Sequence, residues 1–372
     1  MMKLEEFAEI NMGQSPVSSS YNENEDGLPF FQGKADFGKI NPKAKVWCNK
    51  PTKIAEKDDI LMSVRAPVGD LNIATAKCCI GRGLAGIRAK KDKCYFKYLF
   101  YFLRSKYNEL NQMSTGSTFK AISKNNILNI EGNIPEIKEQ KIIVSKLDKF
   151  QDLIIKTEEQ IELLDDLIKS QFVEMFGDPV LNEKQWKKTH LGDECNIITG
   201  NTPSRNKKEY YGDFIEWIKS DNINTPSNYI TQAKEYLSEE GEKVGRTINA
   251  NSILMTCIAG SISCIGNVAM TDRKVAFNQQ INGIETLKNN VIFMYIQFLL
   301  SKEYIQSTIN MSLKGILSKG KLSELEFIFP PIELQNQFAD IVKQIDKQKF
   351  EIQNELIELK KVKEYLMNKY FN

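Results

Sequence analysis

The residues that carry most enzyme chemistry are scarce in this sequence. His190 is the only histidine among 372 residues, and it directly precedes an apolar position. A single histidine cannot supply a metal site that needs several histidines, and no Ser-His-Asp or Cys-His arrangement stands out around it. The seven cysteines include no Cys-x-x-Cys pair, so they indicate reduced thiols rather than a disulfide framework or a zinc site. We therefore expect no catalytic residue and no metal site.

Motifs for phosphate binding and methyl transfer are also missing. The sequence contains no Gly-x-x-x-x-Gly-Lys-Ser/Thr loop and no Asn-Pro-Pro-Tyr loop, and the glycine-rich segment 81–86 lacks the spacing of a dinucleotide-binding turn. Glu136 and Lys138 imitate part of a metal-nuclease motif, but they follow Pro135 at a boundary between elements. We predict no cofactor, and a stand-alone nuclease or methyltransferase is the less favoured alternative.

The overall charge does not indicate a nucleic-acid-binding protein. The chain has 50 basic and 48 acidic residues, so any basic DNA-binding surface must be local. No apolar run approaches the ~18–20 residues that a membrane span needs. The N-terminal segment has no apolar signal core and carries three glutamates in its first nine residues. We therefore expect a cytoplasmic protein without membrane contact.

The elements that must position any site occur twice, because the chain repeats itself. Residues 4–16 match 191–203 without a gap, with identical residues at Leu4/Leu191, Ile10/Ile197, Gly13/Gly200 and Pro16/Pro203. Four more blocks follow in the same order: 59–66 on 252–259, 68–87 on 265–284, 122–140 on 317–335, and 144–149 on 342–347. Five ordered matches predict a duplicated and fused unit, which is a pseudo-dimer within one chain.

Each copy contains a mixed region followed by a long helix. Short apolar runs such as 59–64 and 252–259 predict strands, and the apolar stretches 94–110 and 290–309 predict helices with one buried face. Prolines near 135 and 330 mark the point where the long helices begin. The predicted domains are two mixed regions, 1–136 and 181–332, and two helical segments, 137–180 and 333–372.

The long helices carry a coiled-coil pattern. Apolar residues recur at alternating four- and three-residue steps over four or more heptads, which predicts that the two helices pack on each other. Ordinary amphipathic surface helices are the alternative. The predicted seam consists of Ile143, Leu147, Phe150, Ile154, Ile161, Leu164, Ile168, Ile341, Ile345, Ile352, Leu359, Val362 and Leu366. The fold class is therefore α+β, with two similar mixed α/β domains joined by two long antiparallel helices around a pseudo-two-fold axis.

This order of elements, and several local strings, resemble the specificity subunit of type I restriction–modification systems. The similar strings are GSTFKAISKNNILNI (116–130), IPEIKEQKIIVSKLDK (134–149), FGDP (176–179) and PPIELQNQFADIVKQIDK (330–347). The resemblance covers essentially the whole chain. The second copy departs from it mildly, because SLKGIL (312–317) replaces GSTFKA there.

The resemblance implies that the mixed regions are target-recognition domains, that each reads one half of a bipartite DNA target, and that the helices are spacers. It also implies a non-catalytic subunit that assembles with two methyltransferase subunits and, for cleavage, two restriction and translocase subunits. A helix of about 40 residues spans ~60 Å, so the helices would act as a ruler between half-sites. A scaffold protein without DNA specificity is the main alternative of another class.

Candidate DNA contacts follow from the chemistry of base recognition. Arginine and lysine suit guanine, asparagine and glutamine suit adenine, and phosphates accept bonds from lysine, serine, threonine and backbone amides. The repeat register places Lys219 opposite Gln32 and Gln279 opposite Arg82. In the first copy we select Gln32, Lys34, Arg65, Arg82, Ser117, Thr118 and Lys120. In the second copy we select Lys219, Ser220, Asn222, Arg246, Gln279 and Lys314.

Overall fold

The computed structural model describes residues 1–114, 121–309 and 315–371. Packing divides the chain into two units: unit 1 contains Met1–Glu158 and Asn354–Asn372, and unit 2 contains Glu159–Gln353. Each long helix therefore contributes residues to both units. The domain boundaries predicted from the sequence follow the types of the elements, whereas this division follows their packing.

Unit 1 combines short strands with short helices. Its strands are β1 (Met2–Lys3), β2 (Ala8–Met12), β3 (Tyr21–Asn22), β4 (Leu28–Phe31), β5 (Trp47–Cys48), β6 (Ile54–Ala55), β7 (Ile60–Ser63), β8 (Leu71–Ile73), β9 (Cys78–Ile80), β10 (Leu84–Ala89) and β11 (Glu131–Gly132). Its short helices are α1 (Leu4–Phe7), α2 (Phe96–Ser105), α3 (Tyr107–Met113) and α4 (Lys124–Leu128), and the long helix α5 (Ile137–Phe176) begins in it.

Unit 2 contains the same kinds of element. Its strands are β12 (Lys188–His190), β13 (Cys195–Thr199), β14 (Tyr211–Gly212), β15 (Ile215–Ile218), β16 (Tyr236–Leu237), β17 (Thr247–Ile248), β18 (Ile253–Thr256), β19 (Val268–Met270), β20 (Val275–Phe277), β21 (Ile281–Thr286) and β22 (Glu326–Ile328). Its helices are α6 (Leu191–Glu194), α7 (Glu239–Val244), α8 (Val291–Leu300), α9 (Lys302–Ser307) and α10 (Lys319–Glu324), and the long helix α11 (Ile332–Phe371) begins in it.

The sheets of the two units have matching strand orders. In unit 1 the orders are β2-β10-β7-β8, β3-β5-β4-β9-β6 and β1-β11, and in unit 2 they are β13-β21-β18-β19, β14-β16-β15-β20-β17 and β12-β22. Even the registers agree, because Ile10 pairs with Ile87 and the equivalent Ile197 pairs with Ile284. The predicted duplication is confirmed strand by strand, and so is the α+β fold class.

Two predicted helices are each broken in the structure. The stretch 94–110 forms α2 and α3, which meet at Lys106 (φ −87°, ψ 9°). The stretch 290–309 forms α8 and α9, which meet at Ser301 (φ −95°, ψ 11°). A ψ near 0° turns the chain out of the α-helical path, so the helix direction changes there although the apolar pattern continues.

At the start of the long helices, the structural alignment of α5 with α11 differs from the one predicted from the matched sequence blocks. Near the start of α5 the buried apolar side chains include Ile143, Val144 and Leu147, and near the start of α11 they include Phe338, Ala339 and Val342. These two sets of buried residues align with each other when Gln140 is aligned with Gln335. The predicted match of 144–149 with 342–347 is therefore wrong by three residues, because two Asp-Lys pairs happen to share similar surroundings.

The long helices pack antiparallel in each unit. In unit 1, Lys146 of α5 contacts Tyr370 of α11, and Glu158 contacts Lys360 at 2.8 Å. In unit 2, Asp165 of α5 pairs with Lys349 of α11 at 2.5 Å, and the ring centre of Phe172 lies 5.5 Å from that of Phe338. Rising residue numbers on one helix meet falling numbers on the other, as expected for an antiparallel coiled coil.

The seam departs from the predicted pattern near the ends of both helices. Predicted seam residues that are buried are Ile143, Leu147, Ile154, Ile168 and Ile345, and those that are half-buried are Phe150, Ile161, Leu164, Ile341, Ile352, Leu359 and Leu366. Val362 is 40% exposed, and its neighbour Lys363 is 8% exposed and takes the inward position instead. The steps Lys349, Ile352, Leu356, Leu359 and Lys363 keep the three- and four-residue alternation only if two lysines are accepted in the seam.

The buried position of Lys363 gives unit 1 a pH dependence. Burial, followed by repulsion from Arg104, lowers the pKa of Lys363 to about 8, against the opposing attraction of Asp148 and Glu158. Its ammonium group donates to Gln151 and lies 5.7 Å from the ring centre of Tyr101. Between pH 8 and 10.5 the Lys363 side chain is neutral in the folded chain and protonated in the unfolded chain. The free energy of unfolding therefore rises with pH over this range.

We expect Lys363→Met to raise the free energy of unfolding at pH 7, because a buried charge is replaced by an apolar side chain of similar length. The advantage over the wild type should shrink by on the order of 1–3 kcal/mol as the pH rises from 8 to 10.5. Urea unfolding at a series of pH values measures this difference. Lys360→Met changes an exposed lysine on the same helix and should show little pH dependence. A gap for Lys363→Met that stays constant with pH would contradict the assignment.

Candidate nucleic-acid interface

Parallel strands bring several predicted DNA contacts of unit 1 to one edge. Strands β4 and β9 are parallel, so their carboxyl ends meet, and the Phe31 carbonyl accepts the Gly81 N–H at 2.8 Å. Gln32 follows β4 and Arg82 follows Gly81. The loop after β2 lies against the same place, because Ser15 Oγ accepts the Arg82 N–H at 3.3 Å. We call this surface, formed by Ser15, Gln32, Arg65 and Arg82, edge 1.

Arg65 joins edge 1 through the backbone. The N–H of Val64 donates to the carbonyl of Gly83 at 2.9 Å, and Arg65 forms a β-bridge with Ala121. The side chains of Gln32, Arg65 and Arg82 are exposed. They have no hydrogen bond or ion pair within the described parts of the chain, so their polar groups are free to meet a ligand.

Unit 2 has an equivalent surface, which we call edge 2. Lys219 follows β15 and Gln279 follows β20, and the Asn278 N–H donates to the Ile218 carbonyl at 3.0 Å. Thr202, in the loop after β13, is hydrogen-bonded to Gln279. The backbone N–H of Arg246 donates to the side chain of the neighbouring Asn201 at 2.8 Å. Edge 2 is thus formed by Thr202, Lys219, Arg246 and Gln279.

The two edges match at the level of single backbone hydrogen bonds. Gly81–Phe31 in unit 1 corresponds to Asn278–Ile218 in unit 2, and Val64–Gly83 corresponds to Cys257–Gln280. These pairs place Arg82 and Gln279 at the same position of the fold. The same position therefore carries a guanidinium group in one unit and an amide in the other.

Some predicted contacts are placed elsewhere. Asn222 is 5% exposed, and its amide is used within the unit: it accepts the Lys219 N–H at 3.0 Å and donates to the Gln232 carbonyl at 2.9 Å. It shapes the turn after β15 and is not available to DNA, so its selection was wrong. Lys34 is exposed but paired with Asp70 at 2.9 Å, and Ser220 is half-buried. Ser117, Thr118, Lys120 and Lys314 lie outside the described residues.

A charged and aromatic cluster beside edge 2 was not predicted from the sequence. The Arg205 guanidinium lies 4.4 Å from the ring centre of Tyr211 and 4.9 Å from that of Trp217. Glu235 accepts from Arg205 at 2.8 Å and also from Lys219. These two cations, Lys219 first, lower the pKa of Glu235. Arg205 and Glu235 are 30 residues apart in the sequence, so no local pattern could reveal the pair.

Two buried glutamines were also missed, and they attach each long helix to its mixed region. Gln140 is fully buried; it accepts the Tyr95 N–H at 2.7 Å and donates to the carbonyls of Lys93 and Pro135. Gln335 is 1% exposed; it likewise accepts the Asn290 N–H and donates to the Pro330 carbonyl, whereas its third bond goes to the Asn289 side chain. The match of these two residues within the repeated block 122–140 was visible in the sequence, but their burial was not.

Close backbone approach at each edge requires glycine. A Cβ on Gly13 would lie 2.7 Å from the Leu84 carbonyl oxygen, and a Cβ on Gly200 would lie 2.6 Å from the Phe277 carbonyl oxygen. Backbone atoms cannot move aside as a flexible side chain can. The loops after β2 and β13 can therefore reach edges 1 and 2 only with glycine at these positions.

We expect Gly200→Ala to push the 200–205 loop away from β20 and to lower the free energy of unfolding by roughly 1–3 kcal/mol. Thermal unfolding measures the stability. Fluorescence of Trp217 reports the loop, because the Trp217 indole donates to the Asn201 carbonyl at 3.3 Å. Gly260→Ala is the matched control, since a Cβ at Gly260 has no atom within 4 Å. Equal stability of the two variants would contradict the close approach.

In the part of the chain that the structure describes, no group of three or more histidine, cysteine, aspartate or glutamate residues could hold a metal ion. No described helix is long and apolar enough to cross a membrane. All seven cysteines are free, and burial raises the pKa of Cys94, Cys195 and Cys257 to about 12, which leaves these thiols unreactive.

Comparison with known proteins identifies the family. A family described as "Type I restriction modification DNA specificity domain" matches residues 1–164 and 183–361. The putative type I restriction enzyme MjaX specificity subunit of Methanocaldococcus jannaschii is 48% identical over 161 residues, which are 42% of this chain and 38% of that relative. The type I restriction enzyme MjaIX specificity subunit of the same organism is 24% identical over 364 residues, which are 89% of this chain and 80% of the relative.

Solved structures show the same fold at low sequence identity. The type I restriction–modification S subunit from M. genitalium aligns with a TM-score of 0.60 and 16% identity, over 100% of this chain and 95% of that one. A chain from a study of complex assembly in the type I restriction–modification system aligns with a TM-score of 0.58 and 16% identity. Since the family match covers most of the sequence in two stretches, this chain belongs to the type I restriction–modification DNA specificity family and carries two specificity domains.

Proposed function

We propose that each mixed domain reads one half of a bipartite DNA target, with edges 1 and 2 as the reading surfaces. The observation that carries this proposal is the matched position of Arg82 and Gln279 on identical backbone frameworks. A reader of two different half-sites needs one framework with different polar side chains, because base identity is read by hydrogen bonds to base edges. The family is described as a DNA specificity domain, which supports DNA as the target.

The polar groups at the two edges suit different bases. Arg82 presents a forked donor that can bind the O6 and N7 atoms of guanine. Gln279 presents one donor and one acceptor, which match the N6 and N7 atoms of adenine. At the end of the neighbouring strand the difference is reversed, because unit 1 carries the amide Gln32 and unit 2 carries the cation Lys219. Arg65 and Arg246 are exposed cations that can contact either a base or a phosphate.

We propose that the chain performs no chemistry and directs other subunits to the DNA. In this proposal it assembles with two methyltransferase subunits, and with two restriction and translocase subunits when the complex cleaves. Family membership supports a role within such a complex. The helix α5 supports a protein-binding role, since residues 137–180 hold 6 basic and 10 acidic residues, a balance that does not favour DNA contact.

Mapping of methylated motifs tests the proposed function. DNA from a host with this chain and its methyltransferase should carry a bipartite methylated motif that disappears when the chain is deleted. Arg82→Ala and Gln279→Ala should each relax the motif at one position in different half-sites, by roughly 1–3 kcal/mol of discrimination. Arg104→Ala and Gln348→Ala change exposed residues beside or on the long helices, and should leave the motif intact.

Salt dependence separates this proposal from the scaffold alternative. A DNA reader binds its target with an affinity that falls steeply with salt, and it prefers one sequence over others. A scaffold that joins protein-binding domains has neither property. If the assembled complex shows no sequence preference at any salt concentration, the proposed function is wrong.

A further inference from the structure

The cluster around Arg205 is a clear difference between the two reading surfaces. It consists of Arg205, Tyr211, Trp217, Lys219 and Glu235, and it adjoins edge 2 through Lys219. The link to the loop after β13 is direct, since the Trp217 indole donates to the Asn201 carbonyl at 3.3 Å. The next residue, Thr202, is hydrogen-bonded to Gln279. The cluster and the proposed base contacts therefore share one surface.

Unit 1 has an apolar arrangement at the equivalent position. Phe30 occupies the place of Trp217, because its N–H donates to Val46 as that of Trp217 donates to Glu235. Tyr21 donates to the Pro16 carbonyl as Tyr211 donates to that of Pro203, and it stacks on Phe30 at 4.7 Å. Val46 thus stands where unit 2 has the carboxylate of Glu235. The same fold accommodates valine at this position, so the Glu235 carboxylate is not a requirement of the fold.

The cluster holds an arginine in a defined orientation. The guanidinium lies over two aromatic rings, and one of its nitrogens donates to Glu235 at 2.8 Å. Its side chain remains 54% exposed. Arginine has five N–H donors, so a guanidinium that uses one or two of them on a carboxylate keeps others for a ligand. An arginine oriented beforehand loses less conformational freedom when it binds, which favours both affinity and discrimination.

Glu235 orients two cations at once. Its two oxygens accept from Arg205 and from Lys219, whose ammonium also lies 4.9 Å from the Trp217 ring centre. A carboxylate on a DNA-facing surface would repel phosphate, so its presence beside the exposed Arg205 and the half-buried Lys219 requires a reason. Folding does not explain the Glu235 carboxylate, since unit 1 folds with valine at this position. Orientation of the Arg205 guanidinium does explain it.

We propose that Arg205 reads a guanine in the half-site of the second domain, and that Glu235 is a positioning residue for this contact. The inference rests on the proposed function, because it assumes that edge 2 meets DNA bases. Two donors of the guanidinium would bind the O6 and N7 atoms of guanine. Tyr211 and Trp217 support the plane of the guanidinium, as cation–π contacts do.

Motif mapping with the complete methyltransferase complex tests this assignment. Arg205→Lys keeps the charge and removes the fork, so discrimination at one G·C pair should fall roughly 5- to 150-fold. Glu235→Gln keeps the size of the side chain and weakens the hold on Arg205, so it should relax the same pair. A loss of folding alone would not select a single base pair, which makes the position of the relaxed base the decisive measurement.

Arg273→Lys is the matched control. Arg273 is also paired with a carboxylate, that of Glu216. Glu216 and Trp217 are successive residues of β15, so their side chains project to opposite faces of the strand. Arg273 is therefore paired on the face opposite to Trp217. Its variant should leave the motif unchanged. If the wild-type complex reads a bipartite motif and Arg205→Lys or Glu235→Gln leaves every position intact, the assignment of Arg205 is wrong although the proposed function stands. Relaxation at an A·T pair would also overturn it. A wild-type complex without any motif would instead refute the proposed function.

Discussion

The Phe176→Ala variant is expected to lose about 3–5 kcal/mol of the free energy of unfolding. Phe176 is the last residue of α5 and is fully buried in unit 2. Its ring centre lies 5.0 Å from that of Phe172, 4.9 Å from that of Phe293 and 5.6 Å from that of Phe338. The four rings join α5, α8 and α11, so truncation leaves a cavity that three helices must close. Unfolding in urea, followed by circular dichroism, measures the loss.

Val173→Ala is the control for this variant. Val173 lies on the same turn of α5, but it is 43% exposed. Its truncation removes little buried apolar surface and should change the stability by less than about 0.5 kcal/mol. A loss for Phe176→Ala as small as that of the control would show that the four rings do not anchor the end of α5.

The repeated architecture could be predicted from the sequence because it is encoded locally and twice. Runs such as 59–64 and 252–256 are short and apolar, and both form central strands, β7 and β18. The identical Gly13 and Gly200 indicated a common turn, and both sit at a close backbone approach. Local pattern and tertiary structure agree at these positions, so a prediction made for one copy is supported by the same pattern in the other copy.

The ends of the long helices could not be predicted from heptads alone. A strict seam places Gln171 and Met175 inward, whereas the structure buries Phe172 and Phe176 at steps of four. At that point α5 packs against α8 as well as against α11, so the buried face is wider than a two-helix seam. Lys363 shows the opposite case, since a charged residue occupies the seam and the apolar Val362 beside it is exposed.

The candidate site was only partly visible in the sequence. Gln32, Arg82, Lys219 and Gln279 could be selected because they follow predicted strands, where loops present side chains. Asn222 follows the same rule but turns inward, because the backbone N–H of Lys219 needs an acceptor. Arg205 lies in a turn-rich loop without any pattern, and its aromatic and acidic partners come from three other segments of the chain. Such clusters exist only in the folded domain.

The Gln335→Leu variant is expected to lose about 3 kcal/mol of the free energy of unfolding of unit 2. The Gln335 side chain accepts the Asn290 N–H at 2.9 Å, and it donates at 2.8 Å to both Asn289 and the Pro330 carbonyl. Leucine has nearly the same volume but makes none of these bonds. The buried Pro330 carbonyl and the half-buried Asn290 N–H would then be left without their partner.

Hydrogen exchange locates the effect, because the Asn290 amide directly precedes α8 and is held by Gln335. Its exchange should accelerate in Gln335→Leu, and Gln140→Leu should have the same effect on the Tyr95 amide before α2 in unit 1. Gln348→Leu replaces an exposed glutamine on α11 and should alter neither amide. If the Asn290 amide stays protected in Gln335→Leu, the glutamine does not hold the start of α8. Two of the three bonds are equivalent in the two units, so a matching response of the two amides would also show that the duplication preserved the attachment of each specificity domain to its helix.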